Sequence, residues 1–161
     1  MSNIIKKYFK PQALYLLTLI LFTGIFTVFI QLWRAPDIES VTAFLSTLPY
    51  YENTQKCESL TGTYKEISDE YEITVYKSND GTSLEFAVAD TKNSADTDAV
   101  IEKLKARKSE LDNEFSDNPD ELKRIDAFKI ISVDNLVTFM VYDTQRTAEN
   151  SLHNYFKKSG N

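Results

Sequence analysis

Residues 72–90 read EITVYKSNDGTSLEFAVAD, and this stretch decides the fold class. Ile73 and Val75 alternate with Glu72, Thr74 and Tyr76, the period of two that a half-buried strand shows. Ser78-Asn79-Asp80-Gly81 is a turn, with Gly81 supplying a position of positive φ. The return strand places Leu84, Phe86 and Val88 on one face and Glu85, Ala87 and Ala89 on the other. Alanines on that second face leave room for a helix or another layer to come close.

Working outward, residues 95–115 spell an amphipathic helix with Val100, Leu104, Leu111 and Phe115 along one side. Ser94 is positioned to cap it, with Asp96 and Asp98 in the first turn. Lys103, Lys105, Arg107 and Lys108 lie elsewhere around it, and the acids among them read as a solvated face. Asn118-Pro119-Asp120-Glu121 starts a short helix, Asn118 as N-cap and Glu121 as the return partner of a capping box. A second hairpin follows, FKIISV and LVTFMVYD around Asp134-Asn135, apolar on both faces and so expected in the middle of a sheet. A last helix over about 145–158 carries Ala148, Leu152, Tyr155 and Phe156. Two successive ββα units predict an α+β fold: a four-stranded, mostly antiparallel sheet with helices packed on one face.

Toward the N-terminus the pattern changes. Ile38, Val41, Phe44, Leu45 and Leu48 recur at helical spacing between Pro36 and Pro49. That face either packs on the domain core or, through Phe44, Leu45 and Leu48, meets a partner or a membrane surface. Before it, no charge falls between Lys10 and Arg34. As a helix, Ala13–Trp33 is roughly 31 Å long, the thickness of a bilayer's hydrocarbon core. Ala13, Leu17, Leu21, Gly24, Phe29 and Trp33 would lie along this single transmembrane helix. Lys6, Lys7 and Lys10 precede it, against Arg34 alone close behind, so the positive-inside rule places the N-terminus in the cytoplasm and the rest outside. No small-x-small site follows, and no lipobox cysteine, so the span reads as an uncleaved signal-anchor. The expected organisation is a basic cytoplasmic tail 1–12, a transmembrane helix 13–33, a juxtamembrane amphipathic helix 34–49 and an extracytoplasmic α+β domain 50–161.

Charge narrows the partners. Up to Arg34 the chain holds four basic residues and no acid; beyond it stand the other 14 basic residues and all 24 acids, a net charge of −10. Such a domain repels phosphate backbones, which argues against nucleic acid. Cys57 is the sole cysteine, so no intrachain disulfide forms, a pattern that suits a bacterial envelope protein better than a disulfide-stapled ectodomain. His153 is the sole histidine and has no ligand at i+4. The sequence around Cys57, QKCESL, is no activating turn, so a Cys57–His153 pair is disfavoured. The glycines are too scattered to cradle a phosphate. A calcium loop from Asp90 meets Lys92 and Ala95 where a ligand and a glycine are needed, and helix capping accounts for Glu114, Asp117, Asp120 and Glu121. No catalytic residue, cofactor or metal site is therefore assigned.

From about Leu60 to Lys157 the chain resembles an uncharacterised family, a domain of unknown function found in membrane-tethered extracytoplasmic proteins of clostridial-type Gram-positive bacteria. Glu85-Phe86-Ala87-Val88 is similar to its acidic-apolar-Ala-Val strand, and Val100 to Arg107 to its arginine-ended helix. Phe115, Pro119-Asp120-Glu121, Lys129-Ile130 and the strand from Leu136 to Asp143 carry the rest. Asp117 stands where that pattern has an aromatic, and the lipobox gives way to the apolar span. The resemblance implies an envelope location and an α+β domain, and brings no catalytic residues.

The sequence therefore predicts a non-enzymatic, single-pass membrane protein acting as a protein-interaction module in the cell envelope, with the membrane and an unidentified protein as partners. Two alternatives stand beside it. One is an accessory subunit contacting a larger membrane complex through its transmembrane helix; the other is a domain that binds or hydrolyses cell-wall material.

Overall fold

The computed structural model describes residues 11–32, 36–143 and 148–159; in the first helix, side chains are described over 15–25. Six helices and five strands are described. The chain divides into two compact units, Met1–Ala35 with Lys158–Asn161, and Pro36–Lys157.

In the first unit, α1 runs from Pro11 to Leu32 without a charged residue. From Tyr15 to Ile25 its large apolar side chains are exposed, Leu17 by 55% and Leu21 by 57%. Among the described residues no helix is long and apolar enough to cross a membrane. The span expected over Ala13–Trp33 thus rests on its sequence. Lys6, Lys7, Lys10 and Trp33 lie outside the described residues; Ala13 and Phe29 lie on α1, without described side chains. Gly24 sits on the same helix with open space where a Cβ would be.

The second unit begins with α2, Ile38–Ser46, and a 3₁₀ turn, Pro49–Tyr51. The N-terminus of α2 is a reciprocal capping box: Ser40 N–H donates to the Asp37 carboxylate at 2.9 Å and Asp37 N–H to the Ser40 hydroxyl at 3.0 Å. Then come β1 (Thr54–Lys56), α3 (Gly62–Ser68), β2 (Glu72–Ser78) and β3 (Glu85–Asp90). After these follow α4 (Thr97–Glu114), α5 (Pro119–Asp126), β4 (Lys129–Val133), β5 (Leu136–Val141) and α6 (Ala148–Ser159). The sheet order is β1-β2-β3-β5-β4, with every pairing antiparallel.

Three expectations change. The sheet has five strands rather than four, because Thr54–Lys56, inside a stretch that reads as loop, pairs with Tyr76–Ser78. Its three polar residues carry no apolar alternation, so only the neighbour reveals the strand. Helices cover both faces rather than one. Phe86, Val88, Leu136 and Met140 pack with Ile38, Val41 and Leu45 of α2 and Leu152 and Phe156 of α6. Ala87, Ala89, Val137, Phe139 and Val141 pack with Tyr64 and Ile67 of α3, Val100, Leu104 and Leu111 of α4 and Ile125 of α5. The small alanines meet the long helix as the spacing predicts. Finally, of the second hairpin only β5 is central; β4 is an edge strand.

α2, read as a separate juxtamembrane segment over 34–49, belongs to the folded unit from Pro36 onward. Leu45 is wholly buried, while Phe44 and Leu48 are half-buried against the same core. Phe44 stacks on Tyr155 with ring centres 4.4 Å apart. Leu45 therefore offers no surface to a partner.

Candidate binding site

The polar groups of the domain converge where β3 begins. Ser83, just before β3, and Glu85, its first residue, each receive a charged partner. Glu85, 2% exposed, stands beside Val141 on β5 and Lys77 on β2. Arg107 reaches it from the buried side of α4: Nε donates to one carboxylate oxygen at 2.9 Å and Nη2 to the other at 2.8 Å. The Tyr64 hydroxyl donates to the first oxygen at 2.6 Å. Lys77 Nζ lies 3.9 Å from the second. Both oxygens of Glu85 are thus engaged by a bidentate guanidinium and a buried phenol.

The cluster extends outward along α4. Arg107 Nη1 donates to Glu110 at 2.9 Å, and Glu114 lies 3.6 Å from Nη2. Glu110 also accepts from the backbone N–H and the hydroxyl of Thr63, at 3.1 and 2.7 Å, which fastens α3 to α4. This approach needs Gly62. Its φ is +56°, and a Cβ there would stand 3.0 Å from a Glu110 oxygen. The Arg107 guanidinium lies 5.3 Å from the Tyr64 ring centre, as does Lys77 Nζ.

Electrostatics follow from this wiring. Burial alone would lower the pKa of Arg107, but the hydrogen bonds and charge of Glu85 outweigh it and hold the group above its ordinary value. Burial, then the neighbouring Glu85 charge, pushes the Tyr64 phenol well above its ordinary value, so it stays a proton donor. Burial works against the Glu110 carboxylate, yet Thr63 and Arg107 bring it below the usual range. The network ties β3, α3 and α4 together through fixed hydrogen bonds.

Residue 83 repeats the device more simply. The backbone N–H and hydroxyl of Ser83 donate to Glu121 at 2.8 and 2.6 Å, and Arg124 donates to the same oxygen. Burial opposes ionisation of Glu121, but Arg124 and Ser83 depress its pKa overall. Glu121 therefore joins α5 to the turn before β3 and is not the return partner of a capping box. The other half of that expectation holds: Asn118 caps α5, accepting from Glu121 N–H at 3.3 Å, with Pro119 opening the helix.

Two hollows flank this strand start and share Leu84. The smaller, of ≈ 130 Å³, lies between the 78–84 turn and α4, beside Glu85, Arg107 and Glu114. The larger, of ≈ 370 Å³, is lined by Pro49, Tyr50, Glu52, Leu84, Arg124 and Asp143. The larger falls within the size range of ligand pockets. Glu52 and Asp143 are exposed, and Tyr50 and Leu84 half-buried.

The other candidates are dispersed. Cys57 packs against the core on the α4 side of the sheet, while His153 is exposed on α6, which covers the opposite face, so the two form no pair. Burial raises the Cys57 thiol pKa. Asp90 accepts from Lys92 N–H and Asn135 in a turn. Asn93, rather than Ser94, caps the 3₁₀ turn that precedes α4. Among the described residues no three potential metal ligands come together. Sequence reasoning missed Arg107 by placing it with the solvated lysines. The available signal was Glu85, an acid next to the apolar run Phe86–Ala89 and on the same face as two alanines. Both residues carry the family resemblance, and the fold brings them into contact.

The chain has no match among curated proteins and none among solved structures. Residues 49–142, from the 3₁₀ turn through β5, match the family model of the domain of unknown function DUF4358, and the chain belongs to that family.

Proposed function

We propose that this chain is a single-pass membrane protein of a bacterial cell envelope that presents its α/β domain outside the membrane as a non-enzymatic protein-interaction module. The observation that carries the reading is α1: 22 residues without a charge, in a run bounded by Lys10 and Arg34. Read from the sequence, a helix over Ala13–Trp33 would be roughly 31 Å long, the thickness of a hydrocarbon core. Its exposed apolar side chains, Phe22 at 75% among them, suit lipid as surroundings. Lys6, Lys7 and Lys10 favour a cytoplasmic N-terminus. A contact role is favoured over chemistry because the buried acids Glu85 and Glu121 are held as ion-paired anchors.

The test is a topology experiment. Membranes washed with alkaline carbonate should retain the chain, and protease added to intact cells stripped of their wall should digest the domain. Release by carbonate, or a domain protected until the membrane is opened, overturns the reading. Replacing Ala13–Trp33 with a poly-leucine span should leave partner capture intact; loss of capture would move the contact to the helix itself and favour the accessory-subunit alternative.

A further inference from the structure

We propose that α2 is a displaceable cover, and that the sheet face beneath it receives an amphipathic helix of the partner protein in its place. The inference rests on the interaction reading above and names the surface and the kind of partner.

Buried polar groups separate the two faces of the sheet. Toward α3 and α4, the side chains of Thr63, Tyr64, Glu85 and Arg107 are all hydrogen-bonded. Among the described residues, three buried hydroxyls have no hydrogen-bond partner in the protein: Thr42, Tyr51 and Thr138. All three belong to the opposite face. Thr42 lies on the buried stripe of α2 with Ile38, Val41 and Leu45. Tyr51 packs on Phe86, ring centres 4.7 Å apart. Thr138 alternates along β5 with Leu136 and Met140, which pack in the core shared with α2 and α6. A buried hydroxyl left unpaired carries the whole cost of its lost water. Thr42 regains water when α2 lifts, and an incoming helix with a hydrogen-bonding side chain can pair groups that α2 leaves orphaned.

α2 is also built to move as a unit. Its capping box, Asp37 with Ser40, and the bond from the Thr47 hydroxyl to the Phe44 carbonyl lie within the helix and its caps. Its nine residues bury four side chains, and Phe44 stacks on Tyr155. Leu48, extended at ψ 135° before Pro49, marks the pivot. The family match, 49–142, begins just beyond this pivot, so it holds all five strands and α3–α5 without α2. The occupant follows from α2 itself: a helix apolar at i, i+3 and i+7, as in Ile38, Val41 and Leu45.

The experiment uses the full chain in neutral-detergent micelles. In native-state hydrogen exchange, α2 amides should open at least about tenfold more readily than those of β5, without the urea dependence of global unfolding. Thr42→Val keeps the shape and removes an orphan, so it should slow α2 exchange about tenfold. Phe44→Ala should speed it. A fluorescent peptide of residues 36–48, acetylated and amidated at its ends, should bind saturably to the Phe44→Ala chain. It should bind at least about tenfold more weakly to the Thr42→Val chain, because the tethered helix competes. The same peptide carrying Val41→Asp should not bind. Unchanged exchange in α4 and β5 shows that the variants remain folded.

α2 exchange that follows global unfolding, faster exchange in Thr42→Val, or no peptide uptake by the Phe44→Ala chain overturns the proposal. So does equal uptake of the Val41→Asp peptide. Dimerisation of the chain that the peptide suppresses would assign the face to the α2 of a second copy instead. An envelope partner cross-linked equally by the Phe44→Ala and Thr42→Val chains overturns this surface and leaves the interaction reading intact. If neither chain cross-links a partner, the interaction reading falls, and exchange with peptide uptake still decides whether α2 is a cover.

Discussion

On the two sides of Leu84 the domain treats charge in opposite ways. On the α4 side, Glu85 and Arg107 are almost sealed from water, with side chains 3% and 8% exposed, and each satisfies the other. On the other side, Glu52 and Asp143 stand exposed at the rim of a pocket more than twice as large. A buried ion pair in good geometry offsets its own desolvation and fixes the elements that carry it; it leaves no valence for a ligand. Exposed carboxylates, screened by water, contribute little to stability. The first arrangement holds β3, α3 and α4 together, and the second leaves its carboxylates at the surface.

The largest effect expected from breaking this contrast comes from Arg107→Ala. It strands the Glu85 carboxylate in the core, and urea denaturation should show a loss of about 3–5 kcal/mol. Adding Glu85→Leu should restore much of it, since the unpaired charge is then gone. A double variant as unstable as the single one would show that the guanidinium's own packing, not the stranded charge, sets the cost.

Gly62→Ala should come next, at about 1–2 kcal/mol, from strain at φ +56° combined with crowding of Glu110. A melting curve matching the wild type would show that the α3–α4 junction yields.

Acid should act on the same side of Leu84. Against the opposing effect of burial, Thr63 and Arg107 hold Glu110, and Arg124 and Ser83 hold Glu121, below the ordinary carboxylate range in the folded state. A depressed carboxylate adds stability above its unfolded pKa and loses it as pH falls through the folded one. The urea midpoint should therefore hold from pH 7 to about pH 5 and fall below roughly pH 4.5. Glu110→Gln should flatten that fall. Equal slopes in the two proteins would remove Glu110 as its cause.

The smallest effect belongs to the open side. Glu52→Gln/Asp143→Asn should move stability by no more than about 0.5 kcal/mol, as exposed substitutions usually do. A larger loss would mean that the pocket rim is structural and would erase the contrast.

Much of the architecture is legible in the chain. The hairpin at 72–90, the helix starts at Asp37 and Asn118, and the long helix ending near Phe115 all follow from local rules of period and capping. β1 is illegible because Thr54-Gln55-Lys56 has no pattern of its own and exists through its pairing with β2. The candidate site is less legible still. Arg107 shares its helix with Lys103, Lys105 and Lys108; the Val100–Leu104–Leu111 spacing puts it on the apolar stripe, but its acidic partner lies on a strand far away in sequence. Tyr50, Glu52 and Asp143 lie in connecting segments far apart in sequence, so no window contains their pocket.

By itself, then, the sequence determined the alternation of strands and helices, the uncharged run from Lys10 to Arg34 and the acidity of everything beyond it. These are properties of neighbouring residues or of sums over them, and they survive without knowledge of the fold. Only the tertiary structure decided that helices cover both faces of the sheet, that Glu85 is neutralised from across the core by Arg107, and that exposed acids gather around Tyr50. Those are contacts between distant positions. Their energy depends on distance and on exclusion of water, and both exist only once the chain has closed on itself.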